Sequence, residues 1–176
     1  MASNMKAFLK GSRTIHTVGT VTSFRQPQTL TNGAEVTEVG GVDVFRLVEL
    51  AYDANGKATV KYATASAKAG NVFLTVTPQN VLESFGEMRS DFYIDKGEMA
   101  TCAIPEIGLT FQTSAIDATG LKGGEYVTWD DATKKFKKLA AAPAGTECIL
   151  LQVIDVEAEE SYTLDAQTLV ELRVVK

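Results

Sequence analysis

Residues 124–155 read Gly-Glu-Tyr-Val-Thr-Trp-Asp-Asp-Ala-Thr-Lys-Lys-Phe-Lys-Lys-Leu-Ala-Ala-Ala-Pro-Ala-Gly-Thr-Glu-Cys-Ile-Leu-Leu-Gln-Val-Ile-Asp. Tyr126 to Asp130 is a β-branched and aromatic run, which fits a pleated, half-buried surface. Asp130 to Lys134 has the composition of a turn, and Lys135 to Ala140 makes a second strand. Ala140 to Gly145 is a loop of small residues, and Cys148 to Val156 is a third, apolar strand. The stretch offers no nucleophile beside a base, no metal cage and no phosphate cradle.

The same grammar runs through the rest of the chain. Val36 to Phe45 alternates around Gly40-Gly41, a dipeptide able to take the positive φ of a tight hairpin. Val44 to Tyr52 and Lys57 to Ala63 flank a turn at Asn55-Gly56. In Val72 to Thr77, adjacent Phe73 and Leu74 break the alternation, so both faces of that strand are expected to be covered. Phe92 to Ile94, Ala100 to Ile104, Leu109 to Ser114 and Leu169 to Val175 complete the set. The predicted fold is all-β, a mainly antiparallel barrel or sandwich with at most one or two short helices. The helix candidate starts at Thr77-Pro78, a cap followed by proline, with Val81, Leu82, Phe85 and Met88 at helical spacing behind it.

Sliding the chain against itself by 77 residues lays Tyr52-Asp53 on Trp129-Asp130, Lys57 on Lys134, and Val72 to Val76 on Ile149 to Val153. Two accounts are open: duplication of one β unit, or the shared chemistry of any two hairpins. Under the first, a β-rich domain at 26–176 divides into lobes at about 36–113 and 114–176. Residues 1–25 form an N-terminal arm or first strand. Lys6, Lys10, Arg13 and Arg25 alternate there with Phe8, Leu9, Ile15, Val18, Val21 and Phe24, and no acidic residue precedes Glu35.

Of the 176 residues, 45% are apolar and 22% charged, enough for a core that needs neither disulfides nor metal. The net charge of −5 argues against nucleic acid as the main partner, because phosphate binding requires a basic surface. No apolar run approaches the ~20 residues of a membrane helix, and the N-terminus lacks the apolar core of a signal peptide. No membrane or nucleic-acid partner is expected. Cys102 and Cys148 sit in apolar strands and form no Cys-x-x-Cys, so they read as buried free thiols of a protein made in a reducing cytoplasm.

Catalytic candidates are thin. His16, the single histidine, has no neighbouring group in sequence to set its tautomer. Asp130-Asp131 sits in a turn, and Asp155, Glu157 and Glu159 alternate as a solvent face would. No Gly-x-Ser-x-Gly, P-loop or dinucleotide fingerprint occurs. Lys134-Lys-Phe-Lys-Lys138 is the densest basic patch and reads as an exposed hairpin, with residues 135 and 137 facing one way and 134, 136 and 138 the other. The chain is expected to be no enzyme and to carry no cofactor.

Ile116 to Val156 resembles the head-decoration, or capsid cement, proteins of tailed bacteriophages. The resemblance lies in Gly124-Glu125-Tyr126-Val127-Thr128, the turn at Asp130 to Lys134, the lysine-rich strand Phe136 to Leu139, the loop Ala140 to Gly145, and Ile149 to Asp155. It covers about a quarter of the chain, and 78–113 has no counterpart in it. The resemblance implies a structural virion protein on the outer capsid surface, with the major capsid protein as partner and self-association as a trimer or dimer. The basic and apolar character of the arm makes Phe8, Arg13, His16, Phe24 and Arg25 the expected capsid contacts. The alternative is a carbohydrate- or receptor-binding β module of a tail or fibre, with Tyr126 and Trp129 as an exposed aromatic platform.

Overall fold

The computed structural model describes residues 19–23, 27–30, 32–64, 66–76, 93–158 and 168–176. The helix expected from Thr77 to Met88 lies outside them. The described residues are all-β, as the sequence predicts, with one short 3-10 turn at Ala69–Asn71.

Five strands close a first barrel: β2 (Ala34–Val36), β4 (Leu47–Tyr52), β5 (Ala58–Tyr62), β6 (Val72–Val76) and β8 (Met99–Ala103), in the order β2-β5-β4-β6-β8. A second sheet takes β1 (Gly19–Val21), β9 (Thr110–Thr113), β10 (Tyr126–Asp130), β11 (Lys135–Lys138), β12 (Leu151–Ala158) and β13 (Thr168–Val174), ordered β1-β9-β13-β12-β10-β11. Two short strands, β3 (Val42–Asp43) and β7 (Tyr93–Ile94), pair with each other. The strand expected over Val72 to Thr77 is β6. Every one of its residues is buried, so both of its faces are indeed covered.

The second sheet repeats the first barrel. A parallel bridge between Ile116 and Phe136 ties β11 back to the chain just beyond β9. There Phe136 N–H donates to the Ala115 carbonyl at 2.8 Å, and Asp117 N–H donates to the Phe136 carbonyl at 3.3 Å. The parallel pairing of β2 with β5 occupies the same place in the first barrel. The order β9-β11-β10-β12-β13 therefore matches β2-β5-β4-β6-β8, and every other adjacent pair is antiparallel in both.

The match reaches single residues. Phe45 N–H donates to Thr75 and Thr75 N–H to Arg46; Gly124 N–H donates to Val153 and Val153 N–H to Glu125. Phe45 and Gly124 both take positive φ, 54° and 87°. Ladder pairs correspond in turn: Val48 and Tyr62 with Val127 and Lys138, Leu50 and Val60 with Trp129 and Phe136, Thr75 and Cys102 with Val153 and Leu172. A single sliding offset does not express this, because the connecting loops differ in length. The register makes Leu50, not Tyr52, the counterpart of Trp129.

One buried apolar cluster runs through both units, from Val36, Leu74 and Cys102 to Phe111, Phe136 and Leu172. At its centre Trp129 packs edge-on to Phe136, with ring centroids 5.2 Å apart, and stacks on Tyr62 at 6.3 Å. Trp129 Nε1–H donates to the Ala63 carbonyl at 2.9 Å, a hydrogen bond from one barrel to the other.

Candidate interaction surface

The expected contact residues Phe8, Arg13, His16, Phe24 and Arg25 lie outside the described residues. The described part of the arm is residues 19–23, of which Gly19–Val21 is strand β1, paired with Phe111 to Thr113 of β9. Gly19 is dictated by contact: a Cβ there would stand 2.5 Å from the Phe45 ring and 2.5 Å from the Gln112 carbonyl.

The described chemistry concentrates where the barrels meet. Asp43 and Arg46 are buried and form an ion pair at 3.1 Å. Arg46 Nη1 donates to the Lys134 carbonyl at 2.8 Å, so a guanidinium of the first barrel holds the hairpin turn of the second. Tyr62 joins them. Its hydroxyl donates to Asp43 Oδ2 at 3.3 Å and accepts from Asp43 N–H at 2.9 Å. The Arg46 guanidinium and the Lys134 ammonium lie 5.8 and 5.9 Å from its ring centre, within cation–π range. Buried charge is tolerated only when paired and hydrogen-bonded, and this cluster meets that condition. The sequence signal was Asp43-Val-Phe-Arg46, an acid and a base three residues apart inside an apolar run.

The basic hairpin is largely neutralised. Lys137 pairs with Asp130 at 2.8 Å and Lys138 with Glu125 at 2.6 Å. Those hydrogen bonds hold the Asp130 and Glu125 carboxyls below their ordinary values. Of the five residues 134–138, only Phe136 is fully buried, while Lys137 and Lys138 are both exposed. The simple alternation expected for that segment is lost at Lys138, the last residue of β11, which is exposed like Lys137 although it still pairs with Val127.

Trp129 corrects a second expectation. It is 5% exposed, so it belongs to the core and cannot contribute to an exposed sugar-binding platform with Tyr126. Cys102 and Cys148 are free and buried; burial pushes the Cys102 thiol up to about 12 and raises Cys148 as well. Among the described residues no three His, Cys, Asp or Glu side chains gather as metal ligands would, and no helix is long and apolar enough to cross a membrane.

A sequence model described as YonC prophage protein matches residues 12–175, a span that runs through both barrels. The chain belongs to the YonC prophage protein family. It is 35% identical over 126 residues to the SPbeta prophage-derived uncharacterized protein YonC of Bacillus subtilis (strain 168), covering 69% of this chain and 67% of that relative. Phage descent follows for this chain, and the match to the YonC family spans the repeat as one unit.

Proposed function

We propose that this phage protein is a non-enzymatic structural component of the virion, binding the outer surface of the assembled capsid and stabilising the shell. The observation that carries the reading is that the stretch resembling head-decoration proteins folds as contiguous structure. Its three strands are β10, β11 and β12, hydrogen-bonded side by side in the second barrel. Membership of a prophage family supports the same reading. The partner is the major capsid protein of the same phage, met after synthesis in the bacterial cytoplasm, and copies of the chain associate with one another on the shell.

Assembly physics supplies the mechanism. A ligand that binds only the closed shell stabilises it by mass action. A rigid pair of barrels bridging two capsid subunits turns two modest contacts into one strong one through effective concentration. The arm residues Phe8, Arg13, His16, Phe24 and Arg25 are the proposed contacts to the shell.

The test is co-sedimentation with capsids that lack the protein, alongside a thermal melt of the shell. Saturable binding with a raised shell melting temperature is expected; absence of binding overturns the reading. Removing residues 1–25 would also remove β1 and uncover Phe45. The arm is therefore probed by deleting residues 1–17 and by changing Phe24 and Arg25 to Ser, and binding that survives both changes refutes the arm as the contact.

A further inference from the structure

We infer that Asn55 is a site of spontaneous covalent modification, where the main chain of the folded hairpin turn converts the side-chain amide to a carboxylate. Asparagine is a thermolabile residue. It is most labile before glycine, because the attacking nitrogen then belongs to a residue with no Cβ to obstruct its approach. Two asparagines of this chain precede glycine, Asn32 and Asn55.

The reaction needs only water. The Gly56 nitrogen bonds to Asn55 Cγ, the side-chain nitrogen leaves as ammonia with the Gly56 proton, and a cyclic imide remains. Water then opens the ring on either side. Breaking the new Cγ–N bond leaves an aspartate in an ordinary main chain. Breaking the original C–N bond leaves an isoaspartate, whose main chain runs through the former side chain and is longer by one methylene. Nothing is oxidised or reduced.

The two sites share their hydrogen bonding and differ in their surroundings. In each, the attacking N–H donates to a carbonyl three residues back, Gly33 to Leu30 and Gly56 to Asp53, both at 3.0 Å. Both glycines take positive φ, 63° and 77°, and both asparagines are exposed. A Cβ on Gly33, however, would stand 2.6 Å from the Ala100 carbonyl oxygen. The next residue, Ala34, is fully buried and pairs with Ala100 in the closed barrel. A Cβ on Gly56 would meet nothing within 4 Å. Lys57 follows it outside the β4–β5 ladder, whose outermost pair is Tyr52 with Ala58. Asp53 Oδ1 holds the turn through the Asn55 and Lys57 amides, both at 2.8 Å and both exposed. Ring closure at Asn55 therefore rearranges only an exposed turn, whereas at Asn32 an edge of the barrel must open first. The product adds a carboxylate beside Asp53 and leaves the rungs of the barrel in place. This inference goes beyond the virion reading and stands without it, since the reaction needs no capsid.

The test incubates the purified whole chain in mildly alkaline buffer, folded in one sample and unfolded in guanidinium in another. Both asparagine peptides are followed by mass spectrometry after digestion, with aspartate and isoaspartate products resolved by chromatography and an unincubated digest as the blank. Each folded rate is divided by the unfolded rate of the same peptide, which removes the effect of local sequence. That ratio is expected to be at least about tenfold higher for Asn55 than for Asn32, the cost of opening the barrel edge entering the barrier at Asn32 alone. Both products are expected at Asn55. Equal ratios overturn the inference, as does an Asn55 that converts in guanidinium but stays intact in the folded chain. Aspartate formed without isoaspartate overturns the imide route.

Discussion

Replacing Trp129 by Phe tests whether the two barrels are joined as described, because the indole both packs in the second barrel and donates to the first. The substitution keeps a ring against Phe136 but removes the N–H. The Ala63 carbonyl, on a fully buried residue, then loses its donor. Stranding a buried acceptor costs about 1–3 kcal/mol. The smaller ring also leaves roughly 40 Å³ unfilled, which at about 24 cal/mol per Å³ adds about 1 kcal/mol. The sum is roughly 2–4 kcal/mol, a large share of the ~5–15 kcal/mol that stabilises a typical native chain. For a chain of this size each kcal/mol lowers the melting temperature by about 2–4 °C, so a drop of roughly 4–16 °C is expected. Calorimetry is the assay, since the change removes the chain's single tryptophan. A common core also requires one transition whose calorimetric and van't Hoff enthalpies agree. A drop under about 2 °C, or two separate transitions in the parent, would refute the shared junction.

Gly19→Ala forces a methyl group into the Phe45 ring and the Gln112 carbonyl, and overpacking of this kind costs about 1–3 kcal/mol. The melting temperature is expected to fall and the Thr22 amide, which donates to Thr110 across the β1–β9 edge, to exchange faster; unchanged exchange would show that Gly19 is not held against Phe45. Glu125 and Asp130 have folded-state values lowered chiefly by hydrogen bonds from Lys138 and Lys137. Depressed carboxyls contribute stability above their ordinary values of 4.5 and 3.8, and that contribution is lost as pH falls through the folded values. By NMR titration, Lys138→Met is expected to move Glu125 up toward 4.5 and Lys137→Met to move Asp130 up toward 3.8. Fixed midpoints would mean that neither ion pair persists in solution.

Strand positions and the hairpins at Asn55-Gly56 and Asp130 to Lys134 were legible because a period of two and a turn dipeptide are local signals. Gly40-Gly41, by contrast, turns the chain without the expected hairpin, since β2 pairs with β5 and β8 and β3 pairs with β7. The covering of both faces of β6 was legible in the adjacent Phe73 and Leu74. The 77-residue offset did not give the register that relates the two units, and a boundary at 113/114 would part β9 from β13, with which it pairs. Barrel-facing positions ask only for apolar volume, so Val60 and Phe136, or Cys102 and Leu172, satisfy the same requirement without resembling each other. Trp129 was misread as surface for a related reason. Nothing in Val-Thr-Trp-Asp says that the ring ends against Ala63, a residue distant in sequence. Gly19 facing Phe45 is likewise a contact between distant segments, invisible to any window of sequence.

Three positions at which the two units touch carry unlike residues in the two units. Arg46 corresponds to Glu125, Tyr62 to Lys138 and Leu50 to Trp129. In each pair, the member at the junction is large or hydrogen-bonded across it, and its counterpart lies apart from that contact. Phe45 and Gly124 show the cost of this divergence. The shared backbone needs positive φ there, which glycine adopts freely and a bulky residue resists. Left-handed strain of this kind costs on the order of 1 kcal/mol or more. Burying a phenylalanine ring contributes about 1.5–3 kcal/mol, and Phe45 is 4% exposed with its ring against Gly19. Burial is thus of the size needed to offset the strain on the first barrel, where β1 covers the ring, whereas at the exposed Gly124 no such burial is available.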